Sequence, residues 1–142
     1  MTETHTAAES FDSQAPWPVE CPFCARVTNG QFDFTEIRLV HAFAPLNPVT
    51  DGHMLFIPKW HITHPNPAWA ADCVEAAQLY AMRHKIEQFN IITSCGPDAT
   101  QSVDHMHIHL VPRRKDDGLH LPWTGQKPLP RLQDVAEDEW GR

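Results

Sequence analysis

The chain has 142 residues, of which 42% are hydrophobic, and a formal charge of −7. That length suits one domain rather than two, and the apolar share suits a packed core. The acidic balance argues against an extended nucleic-acid partner, which selects basic surfaces. No run of 18 apolar residues is present, so no spanning helix and no membrane partner are expected. The N-terminus lacks a basic stretch followed by an apolar one, so a cytoplasmic location is the default expectation. In that compartment Cys21-Pro22-Phe23-Cys24 reads as a metal or redox pair rather than a disulfide pair.

In chain order, residues 1–19 are small and polar with two prolines, and they predict a flexible tail. The domain is expected over 20–118. Residues 34–43 are rich in β-formers and predict a strand. Residues 45–52 hold two prolines, an Asn, an Asp and a Gly, and predict a loop. A second strand follows over 53–57, ended by Pro58, which has no amide to donate. Asn66-Pro67 is a cap followed by proline at the first helical position, and it predicts a helix over 67–89. Leu79, Met82, Ile86 and Phe89 recur at helical spacing as its expected buried stripe. A short strand over 90–93, a loop over 94–100 and a charged turn over 114–118 complete the domain. Residues 119–142 predict an extended C-terminal arm, with a short helix near 132–140. Strands, one long helix, then strands indicate an α+β fold with an antiparallel sheet.

The most informative stretch is residues 101–113, Gln-Ser-Val-Asp-His-Met-His-Ile-His-Leu-Val-Pro-Arg. In a strand, His105, His107 and His109 share one face about 7 Å apart, with Met106, Ile108 and Leu110 on the other. A helix would scatter them, since each residue turns it by about 100°. Solvated histidines on a surface strand are the bland alternative. The alternation and its apolar ending resemble the histidine triad family, and the likeness extends over roughly 21–123. Residues 39–61, ending in Asp-Gly-His-Met-Leu-Phe-Ile-Pro-Lys-Trp-His, are similar to that family's nucleotide-facing hairpin. The resemblance implies a five-stranded antiparallel sheet with a long helix packed on it, a nucleotide ligand, cleavage or transfer at the α-phosphate, and a homodimer.

Cys-x-x-Cys is half of a tetrahedral zinc site. Cys73 and Cys95 are weak candidates for the other half, and histidines are the better source. The resemblance implies His61 and His105 as the remaining ligands of a structural zinc with Cys21 and Cys24, with His64 as the rival to His61. It also implies His107 as the nucleophile, His109 against the phosphate oxygens and His53 facing the triad. A neutral imidazole can carry a nucleotidyl group covalently, splitting one hard step into two. Gln101 and Ser102 match positions that contact the phosphate or leaving group.

Two positions depart from the family pattern. Pro45 stands where an acidic or amide residue often holds the ribose, with Asn47 as a substitute two residues on. Ser94 stands where a longer amide is common. Phe43 and Leu46 are expected to flank the base. The leading expectation is a nucleotidyl hydrolase or transferase. The alternatives are a nucleotide-binding or interaction module with little turnover, which Pro45 and Ser94 favour, and a zinc-stabilised structural domain.

Overall fold

The structure, a computed structural model, describes residues 20–33 and 39–121. Its elements in chain order are α1 (Pro22–Thr28), β1 (Val40–Phe43), β2 (Met54–Pro58), α2 (Pro67–Arg83), β3 (Phe89–Thr93), a 3-10 turn (Pro97–Ala99) and β4 (Ile108–Pro112). The described strands form one sheet in the order β1-β2-β4-β3, with every pairing antiparallel. The α+β architecture is the expected one, with four strands among the described residues. The flexible tail over 1–19, the first part of the strand at 34–38 and the short helix near 132–140 lie outside the described residues.

The sheet has two working faces because strand side chains alternate. Val40, Ala42, Met54, Phe56, Ile108 and Leu110 point to one face, where α2 covers them. Phe43, Leu55 and Ile57 point to the other, against Cys21, Phe23 and Cys24 of the α1 region. Every residue of β2 is buried, as its central place requires. His53 and His109 fall on the α1 face, since His109 pairs with Leu55 and His53 precedes Met54.

Three features differ from the sequence expectation. First, α1 was not foreseen. It has only seven residues and two buried ones, Phe23 and Cys24, too short a span for a periodic signal. Pro22 at its first position fits a helix start.

Second, α2 ends at Arg83 and not at 89. Lys85 takes φ 54°, its amide donates to the Met82 carbonyl, and the Ile86 amide donates back to the Ala81 carbonyl. That is a Schellman ending built without the usual glycine, so no residue in the sequence announced it. Phe89 therefore begins β3. The buried face of α2 is Cys73, Ala76, Ala77 and Ala81, while Met82 is 74% exposed. Small residues bring the helix close to the sheet, Met82 is turned outward, and Leu79 is only partly buried, while Ile86 and Phe89 pack on the core from beyond the helix end. The start was read correctly: the Asn66 side chain accepts from the Ala68 amide at 3.1 Å, and Pro67 follows.

Third, only His109 of the three histidines lies in a regular strand. Pairing of β2 with β4 stops at Phe56–Ile108, and the backbone at 105–107 is held instead by the Met106 amide donating to the Ile62 carbonyl. The alternation nonetheless survives, with Met106 in the α2-side core and His105 and His107 buried on the far side.

If the close approach of α2 sets the sheet packing, Ala77→Leu should overpack it and cost about 1–3 kcal/mol in a denaturant titration. An unchanged midpoint would show that the alanine face has room to spare.

Candidate active site and metal centre

Cys21 and Cys24, one at the cap of α1 and one in its first turn, face His61 from the segment after β2 and His105 at the head of the triad. The four ligand atoms lie within 4.8 Å of one another. Cys21 Sγ and Cys24 Sγ are each 3.5 Å from His105 Nδ1, and Cys24 Sγ is 3.3 Å from His61 Nδ1. A tetrahedral S₂N₂ zinc site places sulfur and nitrogen about 3.6 Å apart, so the donor set fits a small divalent cation. His105 is fully buried, and its Nε2–H donates to the Pro58 carbonyl at 3.0 Å, leaving the Nδ1 lone pair aimed at the thiols. Burial, with Cys21 alongside, pushes the Cys24 thiol up to about 12. A buried thiol that resists ionising alone becomes a thiolate when a cation joins it. His64 stands apart from this cluster, with its Nδ1 3.8 Å from the exposed Cys95 sulfur. Cys73 is buried in the core under α2.

Two residues on, His107 Nδ1 lies 2.7 Å from the carbonyl of His105. A carbonyl only accepts, so Nδ1 carries a hydrogen, and in the neutral ring the lone pair is on Nε2. His53 and His109 form a second chain of assignments. The Val49 amide donates to His53 Nδ1 at 3.2 Å, so the hydrogen of His53 sits on Nε2. His53 Nε2 is 2.9 Å from His109 Nδ1 and donates to it, which leaves the His109 hydrogen on Nε2 as a donor. Burial lowers the pKa of both rings; that of His109 falls to about 4, with His107 and His53 adding to the effect. Both are therefore neutral near pH 7, as the assigned hydrogen bonds require.

His53, His107 and His109 line a cavity of about 400 Å³ with Ser94, Thr100 and Ser102. Its remaining walls are Val49, residues from β3 and β4, Arg113 and Leu119–Leu121. The polar floor is thus a lone pair on His107 beside a donor on His109 and three hydroxyls. That arrangement can present a nucleophile to an electrophile whose oxygens need donors.

A family model described as the HIT domain matches residues 29–116. The chain belongs to the HIT domain family. It is 33% identical to the adenosine 5'-monophosphoramidase HNT1 of Saccharomyces cerevisiae over 133 residues, covering 89% of this chain and 84% of that protein. It is 31% identical to the asymmetrical bis(5'-nucleosyl)-tetraphosphatase of Schizosaccharomyces pombe over 59% of this chain and 50% of that protein. Among solved structures, a zinc-bound histidine triad family protein from Mycobacterium smegmatis superposes with a TM-score of 0.64. It is 31% identical, over 71% of this chain and 80% of that one.

Not every residue expected in the HIT site reaches the cavity. Phe43 is buried, its ring 5.4 Å from that of Phe23 and 4.6 Å from the Arg26 guanidinium. Leu46 is 85% exposed and Asn47 is also on the surface; neither lines the cavity. The Gln101 side chain is turned to backbone groups of Thr63, Gly96 and Val103.

Several site residues went unread in the sequence. The Thr93 hydroxyl donates to the His107 carbonyl at 2.9 Å, bracing the chain where the regular strand has not yet begun. Arg113 donates from Nε and Nη2 to the Asp117 carboxylate and also holds Asn90 Oδ1 and the Leu119 carbonyl. Its guanidinium keeps the Asp117 carboxyl well below the usual carboxylate range. This clamp folds the post-β4 turn back, so that His120 and Leu121 become cavity wall. Arg113 and Asp117 at i,i+4 was a visible hint; the fold-back itself had no local signature. No helix among the described residues is long and apolar enough to cross a membrane.

Proposed function

We propose that this HIT protein is a nucleotidyl hydrolase that attacks the α-phosphate of a nucleoside phosphoramidate through Nε2 of His107. The single observation that carries this reading is the 2.7 Å contact of His107 Nδ1 with the His105 carbonyl, which in a neutral ring reserves Nε2 for attack, on a residue that lines the cavity. The new N–P bond forms as the phosphorus–amine bond breaks, and the amine leaves with a proton. Water then cleaves the nucleotidyl-histidine and releases a nucleoside monophosphate. The His109 Nε2–H and the hydroxyls of Ser94 and Ser102 donate to the phosphate oxygens, and His53 holds His109 in the donating tautomer. Phe43, Leu46 and Asn47 remain the proposed base and ribose side, although none of them lines the cavity.

The names of the relatives support hydrolysis of a nucleotide and divide on the leaving group, an amine or a polyphosphate. The cavity favours the amine. The one arginine among the described residues lining it is neutralised by Asp117, so a second run of phosphates would meet no uncommitted cation there. A nucleotide-binding module with little turnover is the second reading, favoured by the distance of Leu46 and Asn47 from the cavity.

Zinc is the proposed occupant of the Cys21, Cys24, His61 and His105 site. All four positions would be protein ligands, so its task is structural: to pin α1 to the sheet. A cytoplasmic, reducing setting suits such thiols. A homodimer is also proposed. Among the described residues the outer edge of β3 has no strand beside it, and Met82 stands exposed on α2, features a second copy would cover.

Freshly purified protein is expected to carry about one zinc per chain, and Cys21→Ser to lower both zinc content and melting temperature. Elemental analysis that finds no metal in unchelated protein would refute the assignment. Against adenosine phosphoramidate, His107→Ala should lose roughly 10³-fold or more in turnover, about 4 kcal/mol of barrier. Nucleotide affinity should change far less. Near-normal turnover by His107→Ala would exclude a His107 adduct. Wild type that binds adenosine monophosphate yet hydrolyses neither phosphoramidate nor dinucleoside polyphosphate would favour the second reading.

A further inference from the structure

Gln101 precedes the triad in a position that suggests contact with substrate, yet its side-chain amide is committed elsewhere. Its Oε1 accepts the Gly96 amide hydrogen at 2.7 Å. Its Nε2 donates to the Val103 carbonyl at 3.1 Å and to the Thr63 carbonyl at 3.4 Å. A primary amide has two N–H groups, and both are spent. No donor is left to offer a leaving group or a phosphate oxygen.

The three partners belong to three different segments. Thr63 follows His61 of the metal centre, and its neighbour Ile62 receives the Met106 amide. Gly96, at φ 85°, opens the turn that runs to Thr100. Val103 lies in the approach to the triad, and its carbonyl also accepts the His105 amide at 2.8 Å. The Gly96 carbonyl in turn accepts from the amides of Ala99 and Gln101. Both backbone polar groups of Gly96 are therefore closed onto the 99–101 end of the turn, one of them through the Gln101 side chain. Ser94, Thr100 and Ser102, the hydroxyls of the cavity, sit on this closed turn or at its ends.

We propose that Gln101 is a positioning residue: its amide cross-links the segment after the metal centre, the 96–100 turn and the approach to the triad. It thereby sets where the cavity hydroxyls stand before substrate arrives. It acts on substrate only through them. The loop is irregular and half exposed, so without the cross-link it would sample other shapes, and preorganisation would be lost before binding. The kinetic consequence rests on the hydrolase reading above; the structural consequence does not.

The test compares wild type with Gln101→Ala and Gln101→Glu, each as full-length protein with its metal. Gln101→Glu keeps the acceptor for the Gly96 amide but turns an oxygen toward two carbonyls, and it preserves volume should Gln101→Ala fail to fold. Three quantities are read: hydrogen exchange across 94–103 without ligand, affinity for adenosine monophosphate, and kcat/KM on adenosine phosphoramidates with a bare ammonia and with a bulky amine leaving group. Exchange at 94–103 should accelerate about tenfold or more in ligand-free Gln101→Ala. Affinity and kcat/KM should fall about tenfold, the latter by the same factor for both leaving groups. A direct leaving-group contact predicts the opposite: unchanged exchange, and a loss seen with the bulky amine but absent with ammonia. Either of those results would overturn the proposal. A lowered melting temperature with affinity and kcat/KM intact would also overturn it, by showing a purely structural role. If wild type cleaves no phosphoramidate, the hydrolase reading fails by itself, and exchange and monophosphate affinity still decide the role of Gln101.

Discussion

Everything in the site depends on how His105 is held. Its ring is fully buried, donates through Nε2 to Pro58 and turns Nδ1 to the two cysteines. Its carbonyl receives Nδ1 of His107. One residue therefore joins the candidate metal site, the end of the central strand and the proposed nucleophile. The carbonyl that accepts from His107 lies in a stretch that no pairing of β2 with β4 supports. The Thr93 hydroxyl on the His107 carbonyl and the Ile62 carbonyl on the Met106 amide supply the missing support from either side.

The sheet divides the labour between its faces. The α2 face is an apolar core closed by alanines and a cysteine. The α1 face carries the histidines, and α1 is too short to hold itself there by burial alone. A cation bound at Cys21, Cys24, His61 and His105 would tie that short helix to the sheet directly beside the cavity. The chain is acidic overall, and the cavity is lined by hydroxyls and histidine rings. Through neutral His53 and His109, each hydrogen bond in the line from the Val49 amide passes the next hydrogen toward the cavity.

Much of this was legible in the sequence for physical reasons. Three alternating histidines survive as a face because strand-like backbone keeps a period of two even where the ladder stops. The Asn66-Pro67 cap is a local signal, and it marked the helix start correctly. Other features had no local signal. The end of α2 is made by Lys85 in a left-handed conformation that the sequence does not advertise. The expected stripe holds only in part: Ile86 and Phe89 pack on the core from beyond the helix end, while Met82 is exposed and the helix itself buries alanines, which a reading by hydrophobicity underweights. The choice of His61 over His64 is three-dimensional, since only the former meets the cysteines. The wall from Leu119 to Leu121 depends on an arginine whose partners lie on β3 and in the following turn.

The most direct test of the central claim is nitrogen NMR of the histidine side chains in the metal-loaded protein, with His107 assigned by comparison with His107→Asn. The expected result is a neutral His107 ring with its hydrogen on Nδ1 and an unprotonated Nε2, and loss of that single tautomer when Cys21→Ser empties the metal centre. A His107 ring with its hydrogen on Nε2, or a tautomer indifferent to the metal centre, would contradict the role given to His105.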